Sequence, residues 1–200
     1  MRYPAGHKDE TRAQILREAA RAIRTDGLHQ LSVGAVMARA GLTHGGFYGH
    51  FPSKDGLVEA AIEAMFAQSN SRLDAATDGR APAEGLAAYI DGYLSDGLSQ
   101  DKDSLCPIVA VASYLPHLPD GHRDTFGRGV RDLTAHLATH IRAMGASDAE
   151  VLASSVLNTL SGAVSTARAM PTARQTKFVL DAARSTVRQL LGLPKPPGRR

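Results

Sequence analysis

The residues able to do chemistry in this chain fall in three places. The single cysteine, Cys106, stands directly before Pro107, and proline suits the first position of a helix. A thiol there lies beside unpaired N–H groups that favour the thiolate, and Lys102 adds positive potential. Two readings stand: a redox or electrophile sensor, or an inert small hydrophobe, the second being the commoner fate of a lone cysteine. His136 and His140 share a helix face at i, i+4, a spacing able to grip a metal. HExxH is absent, so a solvated face is the better reading and no metal ligand is assigned. His117 and His122 flank a turn and read as surface residues. The third place is LTHGGFYGHF, residues 42 to 51, whose three glycines each weaken a helix by about 1 kcal/mol relative to alanine. It has neither the GxxxxGK spacing of a P-loop nor the GxGxxG of a dinucleotide loop, and no strand precedes it, which argues against a phosphate cradle.

The elements that would position these residues are all helical. Ile15, Leu16, Ala19, Ala20 and Ile23 recur at helical spacing, with Asp9 as a candidate cap and Gly27 as a stop. Ser32 offers a cap to a short second helix carrying Val33, Val36 and Met37, which Gly41 ends. Phe47 and Phe51 stand one helical turn apart before Pro52 forbids continuation. Ser53 then caps a longer helix through Leu57, Ala61 and Met65 toward Leu73, and Thr77 to Pro82 reads as a connection. Leu86, Ile90, Tyr93 and Leu94 mark another helix, and Pro107 opens one running toward Leu115. LPHLPDGH reads as a turn. Stripes from Phe126 to Ile141, from Val151 to Val164 and from Phe178 to Leu191 predict three further amphipathic helices. No segment has period-two alternation. The expected fold is all-α, with about nine helices.

Composition narrows the function classes. The hydrophobic content of 43% and charged content of 22% are those of a globular chain. The longest apolar runs are a few residues, too short for a membrane span, and no signal peptide is apparent, so a cytoplasmic location is expected. One cysteine permits no internal disulfide and no cysteine metal cluster. The net charge of +3 is uneven: residues 1 to 54 hold eight Lys or Arg against four Asp or Glu, and the remainder hold 15 against 16. The excess positive charge lies in the first quarter, as a polyanion partner would require.

A short helix, a turn at Gly41 and a second short helix within residues 32 to 51 form the pattern of a helix-turn-helix. Residues 9 to 62, with ILREAARAIRTDG, SVGAVMARAG, GGFYGHF and SKDGL in order, resemble the N-terminal domain of the TetR family of bacterial transcriptional regulators. The resemblance implies that Thr43, His44, Gly45, Gly46 and Gly49 face the major groove or its edge. It implies that Tyr48, His50 and Lys54 contact phosphates, and that Ser32 and Val33 point a helix start at one. Phe47 and Phe51 belong to the small domain's core. Residues 43 to 50 supply no Arg, Asn or Gln for bidentate base reading, so specificity leans on shape, on water or on Arg39.

The same resemblance divides the chain into a DNA-binding domain at 8–55, a regulatory and dimerisation domain at 56–192 and a basic tail at 193–200. It implies a homodimer through about 148–170 and 173–191, with Ser161, Gly162, Ala163 and Ala167 allowing close approach. It also implies an effector pocket among the intervening helices, with Phe66, Tyr89, Tyr93, Tyr114, Phe126 and Met170 as candidate lining, each of which reads equally as core. The expected function is a non-enzymatic, ligand- or stress-responsive regulator, a repressor of a near-palindromic double-stranded DNA operator, with no cofactor and an effector of open class. The competing reading is a small helical enzyme or metal-binding protein built on residues 80 to 200.

Overall fold

The structure, a computed structural model, describes residues 5–95 and 104–194. Among these residues the chain is all-helical: α1 (Ala5–Asp26), α2 (Val33–Arg39), α3 (Lys54–Thr77), α4 (Pro82–Tyr93), α5 (Pro107–Val111), α6 (Asp120–Arg142), α7 (Ala149–Arg168) and α8 (Ala173–Leu190), with 3-10 segments at Leu28–Gln30, His44–Gly49 and Leu115–His117. α3 is the spine. Its buried residues Leu57, Val58, Ala61, Ile62, Met65, Phe66, Ser69 and Leu73 form a band too wide for one partner, and α1, α4 and α6 all pack against it. α7 and α8 pack on each other, with α6 also against α7.

Helix boundaries follow local chemistry. Ser53 caps α3, its Oγ accepting from the Gly56 N–H at 3.0 Å. Gly41 ends α2 at φ 70° in a Schellman arrangement: Leu42 N–H donates to Met37 O at 2.9 Å and Gly41 N–H to Ala38 O at 3.0 Å. Between α6 and α3 the approach is close enough that a Cβ on Gly129 would lie 2.2 Å from Phe66 Cδ2. Only glycine fits there without moving the ring.

Several expectations are corrected. α1 starts at Ala5, so Asp9 is an exposed residue inside the helix and not its cap. Ser32 occupies the N-cap position of α2, yet its exposed hydroxyl makes no capping bond. α5 stops at Val111, and the Pro-rich stretch is split between a 3-10 segment and the start of α6 at Asp120. That start carries His122 inward: it is 2% exposed, with Nε2 3.4 Å from Asp55 and Nδ1 3.3 Å from Glu59, so it joins α6 to the beginning of α3. The side chain of His117 lies outside the described set. His136 is not on a freely solvated face either, since it bridges to α3 through Asn70 Oδ1 at 2.9 Å and Asp74 Oδ1 at 3.0 Å.

A buried arginine locks α8 onto α4. Arg188, 5% exposed, donates to Asp91 Oδ2 at 2.6 Å and to Pro194 O at 2.7 Å, while Arg184 donates to Leu94 O at 2.7 Å. The stripes of α7 and α8 mostly face inward: Ala153, Val156, Leu157, Leu160, Val164, Leu180 and Val187 are all buried within the chain. Ser161, Ala163 and Ala167 are buried with them, and only Gly162 of that set is exposed. No described helix is long and apolar enough to cross a membrane.

Candidate nucleic-acid interface and regulatory cavity

The glycine stretch is held from below and bare above. His44–Gly49 forms a 3-10 segment where an α-helix was expected. Gly46 N–H donates to Thr43 O at 3.1 Å and His50 N–H to Phe47 O at 2.9 Å, and only at Phe51 N–H to Phe47 O, 3.0 Å, does an α-type bond appear. Six residues containing three glycines have too little helix propensity to sustain the wider turn, and tighter bonds suffice over so short a run.

Packing, not propensity, fixes the segment. Phe47 and Phe51 are 1% and 2% exposed and stack with ring centroids 5.8 Å apart. The Arg12 guanidinium of α1 lies 4.7 Å from the Phe51 centroid, and Tyr48 meets Phe47 edge-on at 5.2 Å. Gln14 of α1 donates to the Ala40 carbonyl at 3.0 Å, tying the end of α2 to α1. Arg12 and Gln14 escaped the sequence reading because long polar side chains on an exposed helix look alike; their contacts come from α1 crossing the motif.

On the outer side, Ser32, Thr43, His44, Gly45, Gly46, Tyr48, Gly49 and Lys54 are exposed, and Val33 and His50 are half-buried. Tyr48 is 70% exposed, unusual for so large a ring. A Cβ at Gly45 or Gly49 would meet nothing within 4 Å, and at Gly46 only Met37 and Thr43 atoms at 3.8 Å. None of the three has positive φ. Neither packing nor backbone conformation therefore demands glycine here. Arg39 is paired with Asp26 at 3.2 Å and so faces α1.

A second feature lies along the C-terminal half of α3. A cavity of about 220 Å³ opens between α3, α4 and residues 104 to 106, lined by Ser69, Arg72, Tyr89, Tyr93, Ser104 and Cys106, with Ala76, Ala88 and Gly92. A wider groove of about 570 Å³ between α1 and α3 carries Arg17, Arg21 and Arg24 but lacks such converging buried hydroxyls. Of the six aromatic and methionine candidates, Tyr89 and Tyr93 line the smaller cavity, their rings 6.0 Å apart. Phe66 and Phe126 pair at 5.5 Å on the α6 side of α3, Tyr114 packs edge-on to His29 at 4.9 Å, and Met170 lies half-buried just past the end of α7.

Burial sets the protonation of this cavity. It pushes the Cys106 thiol above its ordinary value, outweighing the Tyr93 hydroxyl, the Ile108 and Val109 N–H groups at the helix start, and Arg72, all of which pull the other way. The expected thiolate stabilisation is present but loses to desolvation; Lys102 lies outside the described residues. The Tyr89 and Tyr93 phenols are raised as well, first by burial and then by the thiol beside them. All three groups stay protonated near neutral pH. The Tyr93 oxygen is buried, and the Cys106 thiol is the polar group beside it.

For His136 both ring nitrogens have protein partners, and among the described residues no group of three or more His, Cys, Asp or Glu is placed to hold a metal ion. His140 is held below its ordinary value by partial burial and by His136 next to it.

Comparison with known proteins agrees with this architecture. Residues 15–61 match the family model described as bacterial regulatory proteins, tetR family. The curated proteins give no match. Among solved structures, a putative TetR-family transcriptional regulator from Rhodococcus sp. superposes with a TM-score of 0.76 at 21% identity, over 92% of this chain and 99% of that one. The E. coli NemR reduced form gives 0.79 at 18% identity, over 94% and 100%. A TetR-family regulator from Cytophaga hutchinsonii gives 0.78 at 22%, over 96% and 98%. The resemblance read from residues 9 to 62 is thus borne out, and the described residues have the fold of solved TetR-family regulators.

Proposed function

We propose that this chain is a repressor that binds a near-palindromic DNA operator as a homodimer and is released by an effector in its C-terminal region. The observation that carries the reading is the open space above Gly45, Gly46 and Gly49, between the exposed side chains of Thr43, His44 and Tyr48, at positions where the fold does not require glycine. A duplex approaching that face would meet backbone and the short side chains of Thr43 and His44, with Tyr48, His50 and Lys54 as donors to phosphate oxygens. Ser32 and Val33 place the start of α2 beside a phosphate. The cluster of Phe47, Phe51 and Arg12 underneath holds this surface in register. No catalytic step and no cofactor enter this mechanism.

The dimer is supported by the outer faces of α7 and α8. Phe178 is 73% and Val151 67% exposed, and Leu190 is exposed with them. Along α7 the exposed row at helical spacing includes Ser154, Gly162 and Ser165, whose small side chains let a second helix approach closely. In the two-domain division at residue 55, an effector acts by binding more tightly to the arrangement in which the two DNA-facing turns no longer match successive major grooves.

A gel shift with DNA upstream of the chain's own gene tests the reading. Binding that weakens steeply between 50 and 200 mM salt, as phosphate-led binding does, is the expected result. Absence of a shift on every promoter fragment refutes it, and a monomer by size-exclusion chromatography with multi-angle scattering refutes the dimer.

A further inference from the structure

The arginines of the first quarter do not share one fate. Arg24 is used inside the chain, its Nε donating to Leu105 O at 2.9 Å and its Nη2 to Gln68 Oε1 at 2.7 Å, and Arg39 is paired with Asp26 at 3.2 Å. Arg12 differs. Its guanidinium carbon lies 4.7 Å from the centroid of the Phe51 ring, and among the described residues it has neither a hydrogen bond nor an ion pair. The residue is half-buried, so it is neither sealed beneath the motif nor loose in solvent. The attraction of a cation for a ring satisfies no N–H, and all five guanidinium donors remain to be matched. Water can match them in the free chain, but an anionic oxygen pair does so with stronger, charge-assisted bonds.

The place of Arg12 says which anion. Phe51 follows His50 directly and precedes Lys54 by one short turn, and these two residues are donors to phosphate in the reading above. The Phe51 ring is 2% exposed and stacked on Phe47, so its position is fixed and the guanidinium over it is held at the same edge of the motif. Residues 42 to 53 contain no Lys or Arg at all. A surface that meets a polyanion draws its affinity from such cations, and here a neighbouring helix supplies one.

We propose that Arg12 is a further DNA contact, its guanidinium binding a backbone phosphate beside those held by His50 and Lys54, so that the interface extends from the helix-turn-helix onto α1. This deepens the DNA-binding reading and rests on it. The planar fork fits two phosphate oxygens, and a side chain already resting on a ring loses less freedom when it binds. Phe51 then has two roles, as core anchor and as platform. The contact fixes affinity and register and reads no base. Arg17 is the internal control: it is exposed on α1 but lines the groove with Ala64 and Gln68 of α3, about 15 Å along that helix from Lys54.

Gel-shift titration of the full chain with DNA upstream of its own gene, over about 50 to 200 mM salt, tests the contact. Arg12→Gln should weaken binding by about tenfold and lower the slope of log affinity against log salt by about one unit, with equal loss on an unrelated duplex. Arg12→Lys should keep the slope and weaken binding by several-fold, since the charge stays and the fork is lost. Arg17→Gln should change neither. A role confined to bracing Phe51 would lower the melting temperature and the affinity but leave the slope alone, so an unchanged slope in Arg12→Gln overturns the proposal. In the wild type, bound DNA should protect Arg12 from modification by phenylglyoxal, read by mass spectrometry, and leave Arg17 reactive. That arm needs no variant to fold, and equal protection of both residues or of neither overturns the proposal. A wild-type chain that shifts no DNA fragment refutes the regulator and this contact together, whereas DNA binding with Arg12 unprotected refutes the contact alone.

Discussion

Two regions on the same helix work by opposite means. At its N-terminal end α3 emerges from a turn whose outer side has open space above Gly45 and Gly49 between the exposed side chains of Thr43, His44 and Tyr48, with Phe47 and Phe51 turned inward. Toward its C-terminal end the same helix lines a cavity crowded with polar groups removed from water. In the first region three glycines leave open space above the backbone, and the cost in helix propensity is met by two stacked phenylalanines. In the second, burial keeps a thiol and two phenols protonated.

The sharpest way to break the contrast is to remove the anchor and leave the bare face unchanged. Phe47→Ala should destabilise the chain by about 3–5 kcal/mol in urea or thermal denaturation, because a fully buried ring leaves a cavity that short segments cannot close. A loss below about 1 kcal/mol would mean the turn is held by something else.

Filling the bare face should do the reverse. Gly45→Glu places a charged side chain where a Cβ has open space, so stability should stay within about 0.5 kcal/mol of wild type or rise. DNA affinity should fall by about a hundredfold or more in a gel shift, since the like charge would meet phosphate at close range. Loss of both properties together would undo the separation of anchor from contact surface.

Gly129→Ala tests the fold-imposed type of glycine against the bare type. Its Cβ would lie 2.2 Å from the Phe66 ring, and the resulting overpacking should cost about 1–3 kcal/mol by thermal melting. Lys54→Ala, an exposed position, should leave melting unchanged, weaken DNA binding several-fold and reduce the salt dependence by about one unit of slope. An unchanged slope would remove Lys54 from the phosphate contacts.

The smallest expected effect is in the cavity. Because burial raises the Cys106 thiol, the unfolded chain loses this proton before the folded one does, so stability is complete below pH 9.0 and declines above it. Denaturation midpoints should fall above that pH in the wild type and fall less in Cys106→Ala, with Tyr89 and Tyr93 adding to the decline at higher pH. Iodoacetamide should react more slowly with the native chain than with the chain in urea; equal rates would contradict a buried, protonated thiol.

How much of this was legible depended on whether neighbours in sequence were also neighbours in space. The helix-turn-helix was legible because its stop at Gly41, its anchors Phe47 and Phe51 and its cap at Ser53 act within a few residues of one another. The type of its last turn was not, because three glycines leave the choice between 3-10 and α bonding to what packs beneath. His122 was read as surface, for a Pro-rich stretch gives no periodicity to say that α6 already begins at Asp120 and turns the ring toward Asp55 and Glu59. The place of Cys106 at its helix start is legible, but the burial that outweighs the helix start comes from residues around it that are distant in sequence.

By itself the sequence determined the helical character, the positions of most stops and caps, the excess charge of the first quarter and the motif that residues 32 to 51 form. These are properties of periodicity and backbone chemistry, which act over one or two helical turns. Only the tertiary structure decided which arginines grip residues 104 and 105, that Arg39 pairs with Asp26, and that the glycines at 45 and 49 face open space. Contacts of that kind depend on where α3 carries its partners in three dimensions, and burial and electrostatics are sums over those partners, whatever their distance along the chain.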